Sequence, residues 1–287
     1  MRGRFNGRGL LFASWMGVLA VGGGCDSVQS MLGGLEKPTA RVTGVGLDSL
    51  RADGVDLLFD VEVSNPYGVA LPLVNADYEL ASGGAAFLTG RAEALGTVPA
   101  NGTRTVPLRA NVSFASLLQA LPAVRPGQVV PYEAKMSLSA DAPGVGTIAL
   151  PLSKSGQVPV PAPPAVTVEG VTVRELSLTG AAANVTLGVT NRNAFGVDLQ
   201  RLGYRLALGG REVASSAVTD SVAFEPGQKQ SIEVGFGLSA AELGLGLLNI
   251  LRGSDAGYEL SGTADLGTPF GAVSMPYSSS GTTPVTR

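Results

Sequence analysis

Histidine is absent from all 287 residues, and cysteine occurs once. The first absence removes the usual proton acceptor of serine and cysteine nucleophiles, so no Ser–His–Asp or Cys–His arrangement can form. The two together exclude a zinc site built from its ordinary ligands and any disulfide within the chain. Charge is also scarce: 15% of residues are charged, with 20 basic against 23 acidic. No basic run occurs, which leaves no electrostatic footprint for nucleic acid and no polybasic patch for anionic lipid. What remains is a chain that is 45% apolar with 40 glycines and 18 prolines, a composition for turn-rich packed domains and not for disorder.

The start reads as a targeting segment. Arg2, Arg4 and Arg8 form a basic region, and Leu10 to Val21 is an uncharged, mostly apolar run of 12 residues. That run is too short to span a bilayer, which takes about 20 residues, but suits a signal peptide over 1–24. Gly22-Gly23-Gly24 leads into Cys25. A lone cysteine after small residues resembles a bacterial lipobox, where the thiol is acylated and becomes the new N-terminus. Here Gly22 stands where such boxes usually carry leucine. The alternative is an ordinary secretory signal in which the cysteine has no role. Loss of 1–24 would leave 17 basic against 23 acidic residues, a net of −6. Attachment to the extracytoplasmic face of a bacterial envelope would then rest on acyl chains alone, with the choice of membrane open.

The chain matches itself at an offset of 126 residues. Val63-Ser64-Asn65 falls on Val189-Thr190-Asn191, Tyr78-Glu79-Leu80 on Tyr204-Arg205-Leu206, Gly83-Gly84 on Gly209-Gly210, and Tyr132-Glu133 on Tyr258-Glu259. A period of that size is a whole domain and not a solenoid unit. The expected organisation is a lipidated cysteine and tether over 25–37, one module over 38–153, a proline-rich extended linker over 154–163, a second module over 164–277, and a flexible tail over 278–287.

Inside each module the hydrophobic period is two, the signature of half-buried strands. Val55, Leu57, Phe59, Val61 and Val63 alternate with polar neighbours, as do Ala183, Val185, Leu187 and Val189. Val74, Ala76, Tyr78 and Leu80 form a second inward set, copied by Leu202, Tyr204, Leu206 and Leu208. Helical patterns occur at Phe114–Leu121 and Ser239–Leu251, the latter interrupted by glycines that each cost about 1 kcal/mol relative to alanine. One polar face per strand fits antiparallel pairing. The prediction is all-β: two tandem antiparallel β-sandwiches, each with one short crossover helix.

The ordered series Val61-Glu-Val-Ser-Asn-Pro-Tyr67, Leu71-Pro-Leu73, Tyr78-Glu-Leu80 and Gly96 to Thr103 (GTVPANGT) resembles the WHy domain of the late-embryogenesis-abundant type 2 family. The second copy keeps Val189, Asn191, Leu199, Tyr204 and the Gly209-Gly210 turn, with Arg192 in place of Pro66. The resemblance implies a fibronectin type III-like sandwich without an active site, from a family linked to protection under desiccation, with bacterial members that are secreted or lipid-anchored. The motif residues Asn65, Pro66, Tyr78, Asn191 and Tyr204 read first as structural. An asparagine bonds neighbouring backbone and a proline ends a strand, while ligand binding by the asparagines is the other reading. Asp56, Asp60 and Glu62 could converge with Asp77 and Glu79, but strand-borne carboxylates two apart project in parallel and do not wrap a cation, so a solvated face is expected. Three sequons, at Asn101, Asn111 and Asn184, are coincidental in a bacterial export context.

The functional expectation is a non-enzymatic, cofactor-free, envelope-anchored protein that binds or protects envelope components or client proteins under water stress. The rival is an accessory lipoprotein docking onto one envelope complex. An enzyme would need a polar cleft that nothing in the sequence marks.

Overall fold

The computed structural model describes residues 36–142, 144–177 and 179–287. Residues 1–35, and with them the expected signal segment, Cys25 and most of the tether, lie outside the described residues.

The first module places β1 (Thr39–Leu50), β2 (Gly54–Asn65) and β5 (Gly102–Ser113) in one sheet. The facing sheet has the order β4 (Ala85–Val98), β3 (Leu71–Ser82), β6 (Val129–Ala142), β7 (Gly146–Pro159). A short helix, α1 (Phe114–Ala120), crosses from one sheet to the other and buries Phe114 and Leu117. All pairings within this module are antiparallel.

The second module repeats the plan. β8 (Ala165–Leu176), β9 (Gly180–Thr190) and β13 (Lys229–Ser239) form one sheet. β10 (Val197–Leu208), β11 (Arg211–Val218), β14 (Asp255–Thr268) and β15 (Gly271–Thr286) form the other, with the short β12 (Val222–Phe224) paired to β10. Its helix, α2 (Ala240–Arg252), buries Leu247 and Leu251 and opens with a capping box between Ser239 and Glu242. One difference separates the copies. In the second module the two sheets are laced together by a parallel pairing of Val285 with Val171 and Thr286 with Thr172; in the first, β1 and β7 are not paired.

The alternation read from the sequence is what builds the two cores. Val55, Leu57, Phe59, Val61 and Val63 on β2 are each at most 1% exposed. Their β9 counterparts Ala183, Val185, Leu187 and Val189 are buried too, as are Leu202, Tyr204, Leu206 and Leu208 on β10. The protein is a tandem pair of antiparallel β-sandwiches.

Three expectations need correction. Val74 does not join the inward set on β3. The register of β3 with both β4 and β6 shifts between Leu73 and Asn75, so Val74 occupies a bulge and is 47% exposed, while Ala76 and Leu80 point inward as expected. The stretch expected as an extended linker starts as paired strand: Lys154 to Pro159 complete β7 against Val129–Ala134 of β6. Proline tolerates this position because β7 is an edge strand, where a missing N–H costs no ladder bond. Val160, Pro161, Ala162 and Pro164 that follow are buried, not solvated. The expected tail is the second half of β15, where residues from Ser278 to Pro284 pair continuously with Asp255–Ser261 of β14. Its Ser-Thr-Gly composition looks frayed in sequence, yet the β14 register carries it through.

Candidate functional site

The repeat's signature asparagines are both buried polar side chains. Asn65 is 1% and Asn191 2% exposed. Asn65 Nδ2 donates to the carbonyls of Val69 at 2.8 Å, Pro99 at 2.9 Å and, more weakly, Val98 at 3.4 Å, while its Oδ1 accepts from the Tyr67 N–H at 3.0 Å. Asn191 reproduces every contact 126 residues on: Nδ2 donates to Phe195 at 2.8 Å, Glu225 at 3.1 Å and Phe224 at 3.3 Å, and Oδ1 accepts from the Asn193 N–H at 2.9 Å. Each asparagine therefore bolts the β2–β3 (or β9–β10) turn to the end of the loop that returns into β5 (or β13). Both amide donors of each asparagine are spent on backbone carbonyls, and each Oδ1 accepts a backbone N–H. The clamps are structural joints between loops.

Pro66 and Arg192 follow the clamps at the same position of the two turns. Tyr78 is half-buried and lies across Gly90 on the neighbouring β4, where an added methyl would collide with its ring. Tyr204 is 6% exposed in the second core. Beside it, Tyr277 donates its hydroxyl to the Gly203 carbonyl at 2.9 Å, and its titration is pushed up by burial and then by Tyr204. Tyr132 stacks edge-on against Phe59, and burial raises its hydroxyl to about 12. Tyr132, Tyr204 and Tyr277 are thus core rings of the two sandwiches.

The five carboxylates do not converge. β2 and β3 belong to opposite sheets, so Asp77 and Glu79 face away from Asp56, Asp60 and Glu62. Asp56 instead accepts from Arg51 Nη1 at 2.6 Å, Ser49 Oγ at 2.6 Å and Asn111 Nδ2 at 2.5 Å, and the Arg51 guanidinium first, then Ser49, hold its carboxyl well below the usual range. Glu62 pairs with Arg41, and Asp77 pairs with Arg91, each at 2.6 Å. Among the described residues no group of three or more His, Cys, Asp or Glu is placed to hold a metal ion.

The LEA_2 family model, late embryogenesis abundant protein, matches residues 60–156 and again 186–281, two spans that begin 126 residues apart. The chain belongs to this family. Its relatives include a desiccation protectant protein Lea14 homolog of Glycine max, 29% identical over 127 residues that make up 44% of this chain and 84% of the relative. Another is late embryogenesis abundant protein Lea14-A of Gossypium hirsutum, 27% identical over 136 residues, 47% of this chain and 90% of the relative. The solution structure of a late embryogenesis abundant protein aligns at 26% identity and a TM-score of 0.38, covering 48% of this chain and 81% of that one. Each relative thus corresponds in length to one of the two modules.

In this late embryogenesis abundant protein the second copy departs from the first where the modules touch. Asn193, at the position of Tyr67, is 3% exposed. It accepts from the Ala162 N–H at 2.8 Å through Oδ1 and returns Nδ2 to the Ala162 carbonyl at 3.1 Å and to Asn191 Oδ1 at 3.0 Å. Gly127 of the first module donates to Val160 at 2.6 Å and accepts from the Ala194 N–H at 2.7 Å. Its φ of +97° and its approach to the Arg192 carbonyl admit no side chain. Leu50, at the end of β1, packs against both cores. Sequence reading passed over Asn193 and Gly127. The signal was present as a mismatch: a repeat that keeps Asn at 65 and 191 but changes Tyr67 to Asn193 marks a surface that only one copy needs.

Proposed function

We propose that this protein is a non-enzymatic protectant, held in a bacterial envelope by a lipidated Cys25, that shields partly unfolded or water-stressed envelope proteins with its two sandwiches. Membership of a family with desiccation-related relatives supports the stress-protective part. The observation that carries the non-enzymatic part is the placement of the repeat's polar groups: the Asn65 and Asn191 amides are spent on backbone carbonyls, and the strand carboxylates lie on opposite outer faces, with Asp56, Glu62 and Asp77 paired to arginines. What is left to act is surface and strand edge. Sandwich edges offer unpaired backbone to any extended chain, the physical basis of strand addition. The lipid anchor and envelope location rest on the signal-like start and Cys25.

Two measurements test this. Drying and rehydrating a sensitive globular enzyme with stoichiometric protein should leave most of its activity and suppress light scattering; no protection at equimolar ratio would sink the protective role. Intact mass of the protein recovered from membranes should show cleavage before Cys25 and added acyl mass; an unacylated Cys25 would remove the anchor and leave the protective role standing.

A further inference from the structure

The two copies differ at one chemically reactive turn. Asn-Gly occurs at 6–7, inside the stretch read as a signal peptide, and again at 101–102. Asn101 is exposed in the turn Pro99-Ala100-Asn101 that leads from β4 into β5. With φ of +49° it is one of two non-glycine residues, beside Ala94, in the left-handed region among the described residues. Asparagine takes that conformation more readily than most side chains. In the second copy, 126 residues on, Gly227 fills the same place with φ of +72°, and Gln228 stands where the first copy has Gly102. Both turns need a left-handed residue, but only the first supplies it with a side-chain amide.

What that amide can do is set by the residue after it. Gly102 has no Cβ to keep its backbone nitrogen off the Asn101 side chain. The other asparagines beyond residue 35 precede proline, alanine, valine, arginine or isoleucine, whose side chains obstruct such an approach. The amides of Asn65 and Asn191 are in addition tied to backbone. Asparagine is a thermolabile side chain for this reason, and an exposed Asn-Gly turn is where the lability is greatest.

We propose that Asn101 is a site of spontaneous deamidation, which ages the first module and spares the second. The Gly102 nitrogen attacks Cγ of Asn101 and forms a new C–N bond. The Cγ–Nδ2 bond breaks, and Nδ2 leaves as ammonia with the proton that Gly102 gave up. Water then opens the five-membered ring. Attack at the side-chain carbonyl gives aspartate; attack at the main-chain carbonyl gives isoaspartate, whose chain runs through Cβ and Cγ. The sum is one water consumed and one ammonia released. The product sits inside the Asn65 clamp: Asn65 Nδ2 holds the Pro99 carbonyl at 2.9 Å, and the Asn101 N–H donates to the Tyr67 carbonyl at 2.9 Å. The β2–β5 ladder begins at once, at Asn65↔Gly102. One extra main-chain carbon between the clamp and that ladder loosens both.

The test ages the folded full chain for weeks in warm, mildly alkaline buffer made with heavy-oxygen water, followed by peptide mapping. The Asn101 peptide should lose its amide, gain one solvent oxygen and divide into aspartate and isoaspartate forms, while Asn111 and Asn184 keep their amides. Gly102→Ala asks Pro99, 3.3 Å from the added Cβ, to yield only slightly. It should slow the conversion about tenfold, equivalent to roughly 1.4 kcal/mol on the barrier. Asn101→Gly copies Gly227, so it should abolish the reaction and keep the melting temperature of fresh wild type. After ageing, the wild type should melt lower and Asn101→Gly should not change. An Asn101 amide that survives in the folded chain while the same peptide reacts in denaturant would overturn the site, as would equal conversion in Gly102→Ala. An aged sample rich in isoaspartate that melts like fresh protein would overturn the loosening of the clamp.

Discussion

At the scale of single residues, the energetic weight of the repeat rests on Asn65 and Asn191. Each holds carbonyls from two loops that no other side chain reaches, so truncation leaves buried acceptors without donors. Asn65→Ala or Asn191→Ala should destabilise its module by about 3 kcal/mol, read from the denaturation midpoint at unchanged slope. Asn65→Asp should be worse than Ala, since it sets a carboxylate against the Val69 and Pro99 carbonyls. A variant within 0.5 kcal/mol, roughly the scatter of surface substitutions, would show that the clamp is ornamental. Both asparagines were legible in the sequence as strand-ending turn residues, and the duplication made them stand out. Their partners were not, because Val98 and Pro99 lie 33 and 34 residues from Asn65 and only the fold brings them together.

At the scale of elements, alternation carried most of the fold. The period of two on β2, β5, β9 and β10 translates directly into buried and exposed faces, because both sheets are antiparallel with one solvated side. It failed where the chain inserts a residue: nothing in Leu73-Val74-Asn75 announces the bulge, and one extra residue flips the side chains beyond it. Composition misled at β7 and β15, whose prolines and serines read as linker and tail. Edge strands tolerate such residues because half their backbone is unpaired anyway. The glycine-interrupted helix α2 separates two effects that sequence alone merges. Gly244 has φ +49° and ψ 159° within the helix and sits beside the Arg211 guanidinium, whereas Gly246 is helical with open space around it. Gly244→Ala should cost about 1–3 kcal/mol, and Gly246→Ala should gain up to about 1 kcal/mol. Thermal melts of the two variants should move in opposite directions; equal shifts would show that α2 is not kinked in solution.

At the scale of the whole molecule, the modules meet through Asn193, Ala162, Gly127 and Leu50 instead of being strung on a free spacer. The repeat revealed that there are two modules; it could not reveal that Val160–Ala162 are buried between them, since alternating proline and valine suits solvent and interface alike. Asn193→Ala removes the reciprocal bonds to Ala162 while sparing most of both cores. The wild type should melt in one calorimetric transition and the variant in two, with the coupling lost amounting to about 1–3 kcal/mol. A single unshifted transition would mean that the modules are held by other contacts.

The outer faces of the two three-stranded sheets are also unlike. The first carries Arg41–Glu62, Arg51–Asp56 and Arg109–Asp48, each at 2.6 Å, while the described residues of the second keep Lys229–Glu169 amid Ala182, Asn184, Thr186, Gly235 and Gly237. As a solution concentrates, dissolved ions crowd in and the reach of surface charge shrinks to a few ångströms. The charged copy then loses its lattice first, while burial of apolar surface, which excluded salts and osmolytes reinforce, goes on holding both. The two halves of one duplicated chain would thus register the loss of water at different stages.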